Sequence, residues 1–554
     1  MYMERDDRVR DYILPDRVLW TTGEDTVKDA ENLLKADKEP QASFGPSSLC
    51  TLLPGGGVLL DFGKQYHGGI QMVCQHVGAG GSQAKIRVRF GESAMEAMSN
   101  IGEKGATNDH SPRDIEVAVA NLGSVEIGNT AFRFVRIDSL HDAQILLRYV
   151  RVVYLHRDLE IKGSFKSNDE LLNKIWNVGA YTVYLNTQEF VWDGVKRDRL
   201  VWIGDMHPET STIQAIFGYD KAVPRSLDLV RNDTAPTGWM NGIPSYSLWW
   251  IRIHHDWYMH NGDKKYLLEQ VPYLKALIDN LISHINDDGT NVIGDKAGGM
   301  GYFIDWPSST NPEAQRGGVH ALMVHAIRDA KEIFEVAAAS DYVDKCAQAL
   351  KKLSKHTPSN GGNKAAASLM VLAGVLDAKE VNEKLLSVDP YADVSTFLGY
   401  YVLKARAEAG DVKGAIDLAR VFWGEMIKLG ATTFWEDFNM EWAKGAKPID
   451  SILKEGEYDV HGDNGAYCYK GFRHSLCHGW ASGPTAFLSE YVLGIKVVEA
   501  GCKKVKVQPN LGDLKWVEGT YPTPYGIISV RHEAMSDGTV KSEIKAPEGV
   551  EIVK

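Results

Sequence analysis

The stretch Val191–Asp205 holds three carboxylates (Asp193, Asp198, Asp205), three basic groups (Lys196, Arg197, Arg199) and two indoles (Trp192, Trp202). Carboxylates and guanidinium groups hydrogen-bond hydroxyls, and indole faces pack on the apolar C–H faces of a sugar ring. A solvated ion-pair patch has the same composition, so composition alone leaves both readings open. A second cluster, Gly430–Phe438, wedges Glu436 and Asp437 between Trp435 and Phe438. Burial beside aromatics raises a carboxyl pKa toward the range useful for general acid or base work. Either group could equally cap a helix. Carboxylates brought together from two distant segments would suffice for glycosidic cleavage.

Smaller signals suit the same chemistry. Asp305 lies between Phe303 and Trp306, Trp239 follows Gly238, and Trp249 and Trp250 follow Tyr246. His254, His255 and His260 cluster near Asp256 without the HExxH spacing, and read as a helix face rather than a metal-ligand set. His474 and His478 flank Ser475 and Cys477, and with no supporting motif Cys477 reads as a structural thiol. No GxGxxG or phosphate-binding loop is present to favour a nucleotide enzyme, and no cofactor and no metal is expected.

Three stretches of chain must position these groups. Residues 1–162 read as β: Lys85–Phe90 and Ala131–Ile137 alternate, Leu146–Leu155 is rich in β-branched and aromatic residues, and Gly and Asp/Asn clusters punctuate them. Short alternating strands between turns predict an antiparallel, jelly-roll-like sandwich. At Ser167–Glu170 a capping box opens a helical region. Met323, Ile327, Ala330 and Phe334 form one apolar stripe, and Thr396–Ala409 and Val412–Gly424 form a helical hairpin stopped at Gly410 and recapped by Asp411. About a dozen helical segments over residues 163–493 suit a toroid of six inner and six outer helices; an α-solenoid would also fit, but no fixed repeat supports one. Residues 494–554 return to short strands, among them Lys503–Val507 and Ile527–Val530. The predicted architecture is mainly α with flanking β: an (α/α)6 barrel between an N-terminal β-sandwich and a C-terminal β-domain.

The bulk numbers narrow the partners. The 554 residues carry a net charge of -12, which argues against nucleic acid and anionic membranes and favours a neutral or weakly charged substrate. No run approaches the ~18 apolar residues of a membrane span. The charged N-terminus lacks the apolar core of a signal peptide. The six cysteines are scattered. A cytoplasmic chain is expected, or a periplasmic or secreted one if a signal peptide has been removed.

The string Asp193-Gly194-Val195-Lys196-Arg197-Asp198-Arg199-Leu200-Val201-Trp202-Ile203-Gly204-Asp205 resembles the signature loop of the α-L-rhamnosidases of glycoside hydrolase family 78. Gly430–Glu436 resembles that family's second acidic motif, and Ser475–Trp480 resembles the segment that follows it. Leu59–Gly63 and Phe132–Arg136 resemble strands of its N-terminal sandwich, while Pro509, Gly512, Asp513, Leu514 and the Pro524–Gly526 turn resemble its C-terminal β-domain. The resemblance implies β-sandwich domains around an (α/α)6 barrel and inverting hydrolysis of a rhamnose-containing glycoside or oligosaccharide. It implies that Glu436 is the general base and that Asp198 occupies the acid position. Asp193 and Asp205 would bind rhamnose hydroxyls and Trp202 would line the pocket. Arg197, Trp239, Asp305, Trp306, Trp435 and His478 complete the candidate substrate-binding set.

At the acid position the family pattern has Glu, one methylene longer than Asp198, and proton transfer requires heavy atoms within ~2.6–3.2 Å. Three readings are open: the loop sits closer and Asp198 is the acid, Glu209 substitutes, or the chain is a weak or inactive carbohydrate-binding relative. An (α/α)6 inverting glycosidase for another sugar is a further alternative.

Overall fold

A computed structural model describes residues 5–37, 39–44, 47–295, 297 and 300–553. The chain divides into two compact units. The first comprises Met1–Asp158, Leu185–Arg199 and Met426–His478; the second comprises Leu159–Tyr184, Leu200–Glu425 and Gly479–Lys554.

In the first unit nine strands form one connected antiparallel sheet: β1 (Arg8–Ile13), β2 (Arg17–Thr21), β3 (Val27–Lys28), β4 (Cys50–Leu52), β5 (Gly57–Val77), β6 (Gln83–Gly91), β7 (Asp114–Ala120), β8 (Gly123–Ser139) and β9 (Ile145–Arg157). The order is β3-β4-β9-β5-β8-β6-β7, with β1 on β9 and β2 on β5. Alternation holds where one face is solvated, as over Gln83–Ile86 of β6, whereas β5 is buried almost throughout. A strand covered on both faces loses its period-two signal. Two of the strings singled out above meet inside this sheet. Asp61 of β5 accepts 2.8 and 2.9 Å bonds from Arg133 of β8. This paired, two-pronged geometry is what makes a buried charge tolerable.

The second unit is helical. Six helices contact one another in a closed ring: α1 (Met206–Ile216), α2 (Pro244–Asn261), α3 (Pro312–Val336), α4 (Lys364–Leu372), α5 (Gly399–Glu408) and α6 (Gly483–Phe487). Every residue of α1 except Ser211, and every residue of α4 except Leu372, is buried. Helices apolar on all sides belong inside, and those with a single stripe belong outside. Ser340–Leu353 is of the second kind, burying only Cys346, Ala349 and Leu353. The expected stripe Met323, Ile327, Ala330 and Phe334 is buried on α3. Gly410 adopts φ 88° and Asp411 caps the next helix at Gly414 N, as its sequence predicts.

One cap differs from expectation. The helix Glu170–Asn186 is capped by Asp169, whose Oδ1 accepts from Leu171 N and Leu172 N at 2.9 and 3.2 Å. Ser167 instead accepts from Asp169 N at 3.1 Å. The carboxylate lies nearer the first turn and is the better partner for the helix dipole. Toward the C-terminus, Ser164–Ser167, Trp516–Thr523, Gly526–Ala534 and Val540–Lys545 form a four-stranded antiparallel sheet. No helix among the described residues is long and apolar enough to cross a membrane.

Candidate active site

In the first unit, residues 193–199 of the signature loop lie beside the second acidic motif. Glu436 N donates to Ser475 O at 3.0 Å, and His478 N donates to Phe434 O at 3.0 Å. Gly194 pairs with His478 in an isolated antiparallel bridge. These ladders place five of the expected residues in one network. Arg197 bonds Glu436 Oε1 through Nη2, and through Nη1 it reaches Asp198 Oδ1 at 3.1 Å. His478 Nε2 stands 3.5 Å from Glu436 Oε1 and 3.6 Å from Asp193 Oδ2. The two candidate catalytic carboxylates therefore flank one guanidinium, and Asp193 shares an imidazole with Glu436.

The turn that presents Asp198 is strained. Asp198 and Arg199 both adopt left-handed conformations, at φ 60° and 54°. Asp tolerates this region better than Arg, and such residues persist where their surroundings over-determine them. Here Arg199 is tied to Asn129 O at 3.1 Å and His110 O at 3.2 Å. His110 Nε2 also lies 3.3 Å from Asp198 Oδ1.

The electrostatics suit a base at Glu436. Burial opposes its charge, but Arg197, His478 and His474 outweigh burial and hold the carboxyl below its ordinary value. Its Oε2 accepts from Ser475 N at 3.1 Å. Trp435 is buried to 1% exposure against Phe438.

Behind the loop lies a group that motif reading missed. Lys196 Nζ donates to Phe472 O (2.8 Å), His474 O (2.7 Å) and Glu96 Oε1 (3.0 Å), and lies 3.1 Å from Glu92 Oε2. Glu92 accepts in turn from Leu476 N at 2.6 Å and Gln65 Nε2 at 2.6 Å. Burial pushes the Glu92 carboxyl up to about 7, against the pull of Lys196. This buried cluster joins the loop 193–199 to the segment 474–478. Nothing local in the sequence marks Glu92, because its partners come from remote segments.

The second unit holds the other candidates. Asp205 precedes α1, and its Oδ1 accepts from Tyr246 Oη at 2.7 Å. Tyr246 meets Trp202 edge-on at 6.1 Å and Phe303 at 6.2 Å, and Phe303 meets Trp306 at 5.3 Å. Asp305 accepts from Ser308 N (2.9 Å) and Ser395 Oγ (3.0 Å). Burial raises its pKa against these bonds. Trp202, Asp205, Asp305 and Trp306 thus surround one aromatic row, with Trp202 and Trp306 partly exposed. Trp239 packs instead on His284 at 5.6 Å.

Glu209 is wholly buried on α1, and a Cβ at Gly479 would lie 1.5 Å from its Oε1. Of the clustered histidines, His254 packs on Trp250, His255 bonds Asp256 and Glu332, and His260 meets Pro522 O. At Gly204 a Cβ would lie 2.2 Å from the Tyr246 ring. Gly204→Ala should therefore cost about 1–3 kcal/mol by overpacking, read as a lowered Tm.

A ring of six inner helices with outer helices and terminal sheets is the architecture of a six-hairpin glycosidase. Residues 160–357 match the model of the bacterial alpha-L-rhamnosidase 6 hairpin glycosidase domain, and residues 494–553 match that of the bacterial alpha-L-rhamnosidase C-terminal domain. An alpha-L-rhamnosidase of Alteromonas sp. (strain LOR) is 25% identical over 466 residues, covering 74% of this chain and 46% of its own length. The GH78 family rhamnosidase of Bacillus sp. GL1 superposes with a TM-score of 0.73 at 21% identity, over 94% of this chain and 55% of that one. A rhamnosidase from Klebsiella oxytoca with rhamnose bound gives 0.69 at 19% identity, over 87% and 96%. The chain spans about half the length of the curated relatives it matches, 46% and 42%.

Proposed function

We propose that this protein is an inverting α-L-rhamnosidase that removes terminal α-L-rhamnose from glycosides or polysaccharides. We also read its domains as 1–162, 163–493 and 494–554. Glu436 is the general base that activates water, and Asp198 is the general acid that protonates the glycosidic oxygen. Asp193, Arg197, Trp202, Asp205, Trp239, Asp305, Trp306, Trp435 and His478 bind the sugar. The observation that carries this reading is Glu436 itself. It is a fully buried carboxylate held in its charged form by Arg197 and the neighbouring histidines, the state a base requires. Asp198 is favoured over Glu209 as the acid, because Asp198 keeps 17% of its side chain exposed while Glu209 is sealed beneath Gly479.

The test has two parts. Proton NMR of the first-formed rhamnose reads the stereochemistry, and the β-anomer is expected. First-formed α-anomer would overturn inversion. Asp198→Asn, compared on an activated aryl rhamnoside and on a natural disaccharide, reads the acid. An activated leaving group needs little protonation, so the variant should lose about 10²–10⁴-fold on the disaccharide and far less on the aryl substrate. Equal losses on both would remove Asp198 from the acid role.

A further inference from the structure

Each turnover of the inverting reaction proposed above leaves both carboxylates in the wrong protonation state for the next. Asp198 has given a proton to the departing oxygen, and Glu436 has taken one from the attacking water. The route back through Arg197 is closed. That side chain bonds Glu436 Oε1 and stands 3.1 Å from Asp198 Oδ1. A guanidinium stays charged and has no acceptor site, so it cannot pass a proton from one carboxylate to the other. Asp198 has to regain its proton from another side.

His110 is placed for that step, and like Asp198 it belongs to the first unit. Its Nε2 stands 3.3 Å from Asp198 Oδ1 and 3.2 Å from Asp109 Oδ1. Its side chain is 31% exposed, against 17% for Asp198 and 3% for Glu436. Imidazole is the side chain that gains and loses a proton near neutral pH. The ring therefore meets the acid at one nitrogen and meets water over part of its surface.

The surroundings hold the imidazole there. His110 adopts a left-handed backbone, φ 65°, which a residue with a Cβ keeps only where its neighbours fix it. Its carbonyl accepts from Arg199 Nη2 at 3.2 Å, which ties it to the turn that carries Asp198. Asp109 is anchored in turn, its Oδ2 accepting from Arg473 Nε at 3.0 Å and Nη2 at 2.8 Å. Arg473 holds the Asp109 carboxyl below its ordinary value. Asp109 thus keeps its negative charge and favours a proton on the imidazole instead of taking it. Around the ring, then, two carboxylates face Nε2, and Arg197, Arg199 and Arg473 bind those carboxylates or the backbone.

We infer, resting on the assignment of Asp198 as the acid, that His110 is a positioning residue which returns to Asp198 the proton given to the leaving group. The Nε2–H bond of the imidazolium breaks and an O–H bond forms on the Asp198 carboxylate. The neutral imidazole then takes up a proton from solvent. Glu436 releases to solvent the proton it took from the attacking water, so each cycle closes without net gain or loss.

His110→Gly tests this, because glycine keeps the left-handed backbone and leaves room for free imidazole. On a rhamnose-terminated disaccharide its kcat should fall about tenfold or more with KM nearly unchanged. Imidazole added to the buffer should restore that kcat with a saturable dependence. On p-nitrophenyl α-L-rhamnoside, whose leaving group needs little protonation, kcat should change far less. His110→Asn, which also tolerates the backbone, serves if the glycine variant does not fold and should show the same split between substrates. Asp198→Asn, measured alongside, should not respond to imidazole. Equal losses by Asp198→Asn on both substrates would remove the acid and the relay with it. If Asp198→Asn shows its expected split while the His110 variant turns over the disaccharide like wild type, the relay alone is overturned. It is overturned equally by a His110→Gly that loses the same on both substrates and gains nothing from imidazole.

Discussion

Arg197→Met should shift the acid limb of the kcat/KM profile upward by about one to three pH units, the scale on which a neighbouring cation lowers a carboxyl pKa. The sign follows from the balance at Glu436. Burial there raises the pKa, and Arg197 is the largest of the charges that lower it. Without Arg197 the folded carboxyl titrates at higher pH and is protonated over more of the acidic range. A general base works only when deprotonated, so activity is lost first at low pH and recovers as pH rises. Glu436→Gln has no charge to restore and should lose about 10²–10⁴-fold in kcat at every pH. Measured together, the two variants separate tuning of the base from its removal. A profile for Arg197→Met that is merely scaled down, with its acid limb unmoved, would show that Arg197 contributes binding and does not set the ionisation of Glu436.

Lys196→Met should be the most destabilising single change near the site. The ammonium is buried against Glu92 and Glu96 and satisfies the carbonyls of Phe472 and His474. Removing one partner of such a cluster leaves uncompensated charge in a dry interior, at a cost of about 3–5 kcal/mol. In a unit of this size that is roughly 10 °C in apparent Tm. Adding Glu92→Gln to Lys196→Met should recover part of the loss, since it removes a carboxyl that must otherwise take up a proton once Lys196 is gone. A Tm for Lys196→Met within a degree or two of wild type would mean that the cluster is solvated and does not hold the loop.

The short-range content of this architecture was readable from the residues. The stripe on α3, the Gly410 stop and the Asp411 cap are local patterns with a local cause. The string Asp193–Asp205 and the Trp435–Glu436 pair could be singled out because charges beside aromatics are unusual within so few residues. What sequence reasoning missed is long-range or depends on competition. Glu92 meets Leu476 across 384 residues, so no window of sequence contains the contact. At the start of the helix Glu170–Asn186, Ser167 and Asp169 both offered a cap, and the spacing rule named the hydroxyl where the carboxylate prevails. Periodicity likewise could not show that Leu185–Arg199 and Met426–His478 join the N-terminal strands in one compact unit. Nor could it sort the indoles, which divide into the partly exposed Trp202 and Trp306, the buried Trp435, and Trp239 on His284.

The central claim is that the carboxylate on Glu436 drives cleavage of an α-L-rhamnoside. Release of nitrophenol from p-nitrophenyl α-L-rhamnoside by the wild-type chain and by Glu436→Gln tests it most directly. Turnover by the wild type that falls by about 10² or more in a folded Glu436→Gln is the expected result. Wild-type turnover that survives in Glu436→Gln, or no wild-type turnover on either this substrate or a rhamnose-terminated disaccharide, would contradict it.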